Sequence, residues 1–97
     1  MSHILKLSEW ECGGRYYVGD VEELGKGSGT WWYLPNLLNL SPVDFVKMLI
    51  DKYKVSYIKY NTRSDVLIYA FDSLPAARSY KNAINKIART KNFVICL

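Results

Sequence analysis

The chain has 97 residues and a net charge of +4, and 49% of its residues are apolar. This length suits a single domain covering residues 1–97, and the apolar fraction suffices for a hydrophobic core without metal or disulfide support. The sequence has no run of about 18 apolar residues and no signal-peptide pattern at its start, so we expect a cytoplasmic, intracellular protein without a membrane partner.

Near the N-terminus, the pair Gly13-Gly14 lies between two runs rich in aromatic and β-branched residues. Two glycines supply the positive φ angles of a tight turn, so residues 4–21 are predicted to form a β-hairpin. Residues 22–30 contain three glycines and a serine, which predicts a loop. This loop lacks the Gly-Lys-Ser/Thr order of a phosphate-binding loop, so no nucleotide cofactor is expected.

The aromatic segment TWWYLP, residues 30–35, is predicted to be a short strand that Pro35 ends. A helix is predicted over residues 41–54, with Ser41 as its N-cap and Pro42 in its first turn. Its apolar residues recur at helical spacing and are expected to face the core. They are Phe45, Val46, Leu49, Ile50 and Tyr53.

Residues 55–60 and 65–71 alternate in the manner of strands and flank a short loop, which predicts a second hairpin. Pairing Ile58 with Leu67 places Leu67, Tyr69 and Phe71 on one face and Val66, Ile68 and Ala70 on the other. A last helix is predicted over about residues 74–90, capped by Ser73, and a last strand over residues 92–97. The apolar stripe of this last helix consists of Ala77, Tyr80, Ile84, Ile87 and Ala88.

The predicted order from residue 30 to residue 97 is β-α-β-β-α-β, preceded by the N-terminal hairpin. This is the ferredoxin-like pattern of the α+β class, a four-stranded antiparallel sheet with both helices on one face. The opposite face of the sheet is then covered by the N-terminal hairpin, by a protein partner, or by a second copy in a homodimer.

Two short segments carry a family resemblance: WYLPNL at residues 32–37 and SDVLIYAF at residues 64–71. By these segments and by its predicted topology, the stretch 32–97 resembles an RNA recognition motif. The resemblance implies a ferredoxin-like fold with RNA on the open sheet face and Tyr33 at a base-stacking position. The two other stacking positions hold Val66 and Ile68, which have no aromatic ring to offer a base.

Few residues in the sequence suit catalysis or metal binding. The cysteines, Cys12 and Cys96, form no C-x-x-C pair, and His3 is the single histidine. A zinc site and a disulfide framework are therefore not expected. No nucleophile, base and orienting group are recognisable together, so we expect a non-enzymatic protein without catalytic residues, metal or cofactor.

The charge is uneven: residues 1–24 carry a net charge of −3 and residues 25–97 carry +7. Such asymmetry indicates a nucleic-acid partner, or an acidic segment that folds back on the basic one. The basic residues of the last helix either bind phosphate, dock on an acidic protein, or simply face solvent. These residues are Arg78, Lys81, Lys86 and Arg89.

The sequence favours a small protein-binding module, for example a phage-type inhibitor or adaptor that masks a surface of its partner. Its predicted contact residues on the open sheet face are Tyr33, Tyr57, Lys59, Val66 and Ile68. The alternative is a domain that binds RNA or single-stranded nucleic acid through Tyr33, Tyr57 and the basic helix. Trp and Tyr side chains suit either role, because both classes of interface use aromatic anchors.

Overall fold

The computed structural model describes residues 2–19, 29–61 and 66–96. Within these residues the strands are β1 (Ser2–Ile4), β2 (Ser8–Cys12), β3 (Arg15–Gly19), β4 (Tyr57–Asn61), β5 (Val66–Phe71) and β6 (Val94–Cys96). The helices are α1 (Gly29–Leu38), α2 (Pro42–Asp51) and α3 (Leu74–Thr90). The α+β class is confirmed, and most of the predicted glycine-rich loop lies outside the described residues.

The N-terminal hairpin is confirmed as the pair β2 and β3, shorter than the predicted span of residues 4–21. Cys12 pairs with Arg15 across the turn, and Gly13 and Gly14 adopt φ angles of 59° and 81°. The Glu11 carboxylate accepts a hydrogen bond from the Gly14 amide at 3.0 Å. These positive φ angles are strained for residues with a side chain, so the glycines fix where the chain reverses.

The hairpin extends the sheet instead of covering it. The four-stranded antiparallel sheet has the order β2-β3-β5-β4, with Tyr16 opposite Phe71 and Tyr17 opposite Ala70. Strand β1 pairs with β6 in a separate two-stranded sheet. The ferredoxin-like arrangement predicted for residues 30–97 therefore does not describe the strand order of the four-stranded sheet, because the hairpin supplies two of its strands.

The prediction of a strand over residues 30–35 is wrong. These residues lie in α1, which passes through Pro35, and Leu34 and Leu37 are completely buried. The i, i+3 spacing of these leucines matches one helical turn, and burying both outweighs the strand preference of the neighbouring aromatic residues. The last turn of the helix is followed by Asn39, whose φ of 58° ends it.

The other two helices begin as predicted. The Ser41 hydroxyl accepts a hydrogen bond from the Asp44 amide at 3.1 Å, and the Ser73 hydroxyl accepts one from the Ala76 amide at 3.3 Å. Helix α3 spans the predicted residues. The prediction that Ile50 faces the core is wrong: the side chain is 48% exposed, because it lies on the outer edge of the apolar stripe of α2.

The described helices pack on one face of the four-stranded sheet, around a single hydrophobic cluster. The Tyr69 and Tyr80 hydroxyls lie 2.8 Å apart within it and join β5 to α3. Among the described residues, no helix packs on the opposite face. The buried members of the cluster are Leu5, Leu7, Val18, Leu34, Leu37, Phe45, Leu49, Tyr69, Phe71, Ala77, Tyr80, Ile84, Ala88 and Ile95.

The pairing of β4 with β5 differs from the prediction by two residues. Ile58 lies opposite Tyr69, not Leu67. Because side chains alternate with a period of two, this shift leaves the described side chains of the paired residues on their predicted faces. Leu67, Tyr69 and Phe71 contact the helix side, and Ile68 and Ala70 belong to the other side.

Candidate functional site

The candidate site is the sheet face that lies away from the helices, which we call the open face. Strand alternation and the observed pairing assign side chains to it from all four strands. Those that the structure describes are Ser8, Trp10, Cys12, Arg15, Tyr17, Tyr57, Lys59, Ile68 and Ala70.

A row of aromatic residues crosses the open face at right angles to the strands. Trp10 lies opposite Tyr17, Tyr17 opposite Ala70, and Ala70 opposite Tyr57. The Trp10 and Tyr17 rings are stacked, with centroids 5.7 Å apart and planes within 16° of parallel. Stacked aromatic pairs contribute about 0.5–1.5 kcal/mol beyond their burial. The rings are half-buried, so the row is ordered before any partner arrives.

Arg15 reaches from β3 across β5 to Tyr57 on β4. Its guanidinium carbon lies 3.9 Å from the centre of the Tyr57 ring, although strands two apart are separated by roughly 10 Å. The reach is feasible because Ala70, on the strand between them, is small and completely buried. A cation held over a ring at an exposed site contributes about 0.5–1 kcal/mol. The Arg15 side chain nevertheless remains exposed.

The open face is positively charged. Among its described side chains, Arg15 and Lys59 carry charge and none is acidic. The hairpin carboxylates, Glu9 and Glu11, lie on the helix side of the sheet, and Asp72 follows the last residue of β5. The field over this face therefore attracts anions.

Glu9 connects the N-terminal hairpin to α3 on the helix side of the sheet. Its carboxylate accepts a hydrogen bond from Arg78 Nε at 3.2 Å and forms a second ion pair with Lys81. Hydrogen bonds from Lys81 and Arg78 lower the pKa of the Glu9 carboxyl below its usual value. Glu9 of the acidic segment is thus paired with the basic helix, and two residues of the predicted basic patch are paired within the protein.

The rest of the predicted basic patch is separate from the open face. Lys86 and Arg89 are exposed on α3, which packs on the other side of the sheet. Arg89 also lines a surface cavity of about 280 Å³ together with Ile4, Leu5, Lys6 and Asn85. The Asn85 side chain accepts a hydrogen bond from the Leu7 amide at 2.7 Å and donates one to the Leu7 carbonyl oxygen at 3.0 Å. These two bonds hold the segment around Leu7 on α3.

The structure brings together three of the five predicted contact residues. Tyr57, Lys59 and Ile68 lie on the open face, and Val66 is paired with Asn61 in the sheet. Tyr33 does not lie there: it is in α1 and packs, half-buried, against the hydrophobic cluster. Its prediction as a sheet residue depended on the strand that proved to be a helix.

Sequence reasoning missed Trp10, Arg15 and Tyr17. Their alternation within the hairpin was visible, but the hairpin was considered only as one possible cover of the sheet, and its own faces were not assigned. The residues that pair with β3 could not be predicted from the neighbouring sequence, because they belong to β5, which is distant along the chain.

Within residues 2–19, 29–61 and 66–96, no three His, Cys, Asp or Glu side chains are grouped to hold a metal ion. In the same part of the chain, no helix is both long and apolar enough to cross a membrane. Cys12 is a free, exposed thiol beside the hairpin turn.

In comparisons with known proteins, no family model, no curated protein and no solved structure matched this chain. The resemblance to an RNA recognition motif therefore stays a prediction.

Proposed function

We propose that the protein is a small non-enzymatic binding module that receives an anionic partner on the open face. The observation that carries this proposal is the composition of the open face: its described side chains include an aromatic row and two exposed cations, and none is acidic. No described helix packs on this face. Aromatic residues and arginine are the side chains that dominate binding energy at interfaces.

The order of the face before binding favours this role. The Trp10–Tyr17 stack and the contact of Arg15 with Tyr57 already restrict these side chains. Side chains that are fixed in advance lose less entropy when a partner arrives, and this loss is about 0.5–1.5 kcal/mol for each side chain that binding must immobilise.

The charge of the face also bears on the occupant. Two copies packed face to face would bring Arg15 and Lys59 of each copy toward the same cations of the other, and such like-charge contacts are unfavourable. A homodimer through this face is therefore disfavoured. In the protein-binding form of the proposal, the module acts as an inhibitor or adaptor and masks an acidic surface of its partner.

A matched pair of substitutions tests whether the face is free for a partner. Ile68 and Leu67 are neighbours on β5 and both half-buried, but only Leu67 contacts the hydrophobic cluster. We expect Ile68→Asp to change the free energy of unfolding by less than about 1 kcal/mol, and Leu67→Asp to lower it by about 2–4 kcal/mol, because it places a charge against the core. Urea unfolding followed by circular dichroism measures both.

If Ile68→Asp destabilises the protein as much as Leu67→Asp does, the face is part of the core and the proposal fails. If it folds normally, immobilised wild type and Ile68→Asp are compared for what each captures from a cell lysate, with and without nuclease. Capture by the wild type that the variant loses is the expected result, and equal capture by both would contradict a role for this face.

A further inference from the structure

We infer that the anionic partner is single-stranded nucleic acid, whose bases stack against the Trp10–Tyr17 pair and the Arg15 guanidinium on the open face. This inference rests on the proposed function and names the partner class for the same surface.

Trp10 lies on the edge strand of the four-stranded sheet. Strand β2 stands at the end of the strand order, so among the described residues no further strand lies beside Trp10 on the side away from Tyr17. One side of the indole ring is occupied by Tyr17, and the other side faces outward along the same row. A planar base placed there extends an existing stack, and any base serves because every base has a π-face.

The second stacking position is formed by Arg15. Its guanidinium is held over the Tyr57 ring at 3.9 Å, and its exposure leaves the side away from the ring accessible. Guanidinium groups are established stacking partners for unpaired bases in nucleic-acid complexes. The two positions lie toward opposite ends of the row, three strand spacings or about 14 Å apart, so two bases of one nucleic-acid chain can occupy them.

Both cations lie close to the aromatic row. The Arg15 guanidinium is over the Tyr57 ring, and Lys59 follows Tyr57 by two residues along β4. A backbone whose bases stack on the row therefore passes near two cations. Each phosphate neutralised by a cation releases counterions, which makes single-strand binding fall with salt by a slope of about 0.7 per contact.

An acidic protein surface would satisfy Arg15 and Lys59 but would leave the outward side of Trp10 without a planar partner. A duplex would satisfy the charges but would keep its bases paired and stacked inside. An unpaired strand uses both features of the face, because its bases stack on the rings and its phosphates meet the cations. Three of the residues involved, Trp10, Arg15 and Tyr17, precede the stretch that resembles the RNA recognition motif.

The test uses fluorescence anisotropy on the full chain with fluorescein-labelled probes. The probes are a 15-nucleotide oligothymidine and oligouridine, of about the length that single-strand-binding folds cover, the same length of abasic deoxyribose phosphate, and labelled polyglutamate. We expect the oligonucleotides to bind at least roughly tenfold more tightly than the abasic strand, because a single stacked base accounts for roughly 5- to 150-fold.

Variants separate stacking from charge and from structural effects. Trp10→Leu is expected to weaken oligonucleotide binding roughly 5- to 150-fold while abasic binding is unchanged, and Trp10→Phe, which keeps a ring, to retain most of the affinity. Arg15→Gln is expected to lower the salt slope by about 0.7. Lys47→Gln, which removes an exposed cation from α2, is the charge-matched control and is expected to bind normally.

Equal binding of the oligonucleotides and the abasic strand, equal loss in Trp10→Leu and Trp10→Phe, or no binding of any probe overturns the inference. Loss on Arg89→Gln instead of Arg15→Gln overturns it too and moves binding to α3. Polyglutamate binding that Arg15→Gln abolishes, without oligonucleotide binding, overturns the nucleic-acid assignment and leaves the proposed anionic partner in place. Circular dichroism and thermal unfolding verify that each variant is folded.

Discussion

The hydroxyl pair of Tyr69 and Tyr80 offers a stringent test of how the helix layer is fixed to the sheet. The two oxygens are 2.8 Å apart, Tyr80 is completely buried and Tyr69 is 6% exposed. Burial raises the pKa of both hydroxyls above the ordinary tyrosine range, so the pair stays neutral and shares one hydrogen bond. Tyr80→Phe removes this bond and leaves the Tyr69 hydroxyl buried without a partner.

An unsatisfied buried hydroxyl costs about 1–3 kcal/mol, whereas removing both partners together is nearly neutral. We therefore expect Tyr69→Phe and Tyr80→Phe each to destabilise the protein by about 1–3 kcal/mol, which corresponds to a fall in Tm of roughly 4–24 °C for a domain of this size. The double variant is expected to be no less stable than the better single variant.

A double-mutant cycle in urea, followed by circular dichroism and tryptophan fluorescence, measures these free energies. Single variants within about 0.5 kcal/mol of wild type would show that water reaches the remaining hydroxyl and satisfies it. Strictly additive losses in the double variant would show that the cost comes from packing of the rings and not from the shared hydrogen bond.

Two further predictions concern the N-terminal hairpin. Glu9→Gln removes both ion pairs and is expected to destabilise the protein by about 0.5–1 kcal/mol at pH 7. The effect is small because solvent screens the exposed Arg78 side chain. The folded-state pKa of Glu9 is lowered from 4.5, so its contribution is present above that pH and is lost as the pH falls through the folded value. Urea unfolding at pH 7 and at about pH 2 checks this, and an equal difference at both would contradict it. Gly14→Ala is expected to cost about 1 kcal/mol at its φ of 81°, and Gly14→Asn less, because asparagine tolerates this region. Apart from the adjacent residues, no atom lies within 4 Å of a Cβ added at Gly14. Equal thermal destabilisation by the Ala and Asn substitutions would therefore argue against backbone strain as the cause of the loss.

The helices α2 and α3 were predictable because their signals are local. A capping serine, a proline in the first turn and an apolar stripe lie within a few turns of one another. The two hairpins were predictable for the same reason, since the turn and its flanking strands are contiguous. A two-residue error in the pairing of β4 with β5 left the faces unchanged, because alternation has a period of two.

Helix α1 was missed because its signals conflict. Thr30, the aromatic residues and Pro35 favour a strand that ends at the proline. The buried pair Leu34 and Leu37 favours a helix, but it contributes only once the cluster formed by α2 and α3 is present. This is tertiary packing overriding local preference, and it removed Tyr33 from the predicted site together with the predicted strand.

The site was missed for a different reason. Its aromatic row depends on the pairing of β3 with β5, and the described residues between these strands include two helices and a strand. The pairing makes Tyr17 and Tyr57 neighbours of Ala70 and brings Arg15 within reach of Tyr57. No local pattern specifies which strand edge a hairpin joins. The residues that one face of the hairpin contacts can therefore be identified only once its neighbouring strand is known.

The hairpin register links stability to the proposed binding. Alternation along β2 places Glu9 on the helix side, where it pairs with Arg78 and Lys81, and Trp10 on the open face. A slip of one residue would exchange the two sides, placing the carboxylate on the open face and the indole against the helices. The same register that secures α3 therefore also makes the open face aromatic and basic. Glu9 and Glu11 therefore lie on one side of the hairpin and Arg15 on the other, in a register that the turn at Gly13 and Gly14 sets.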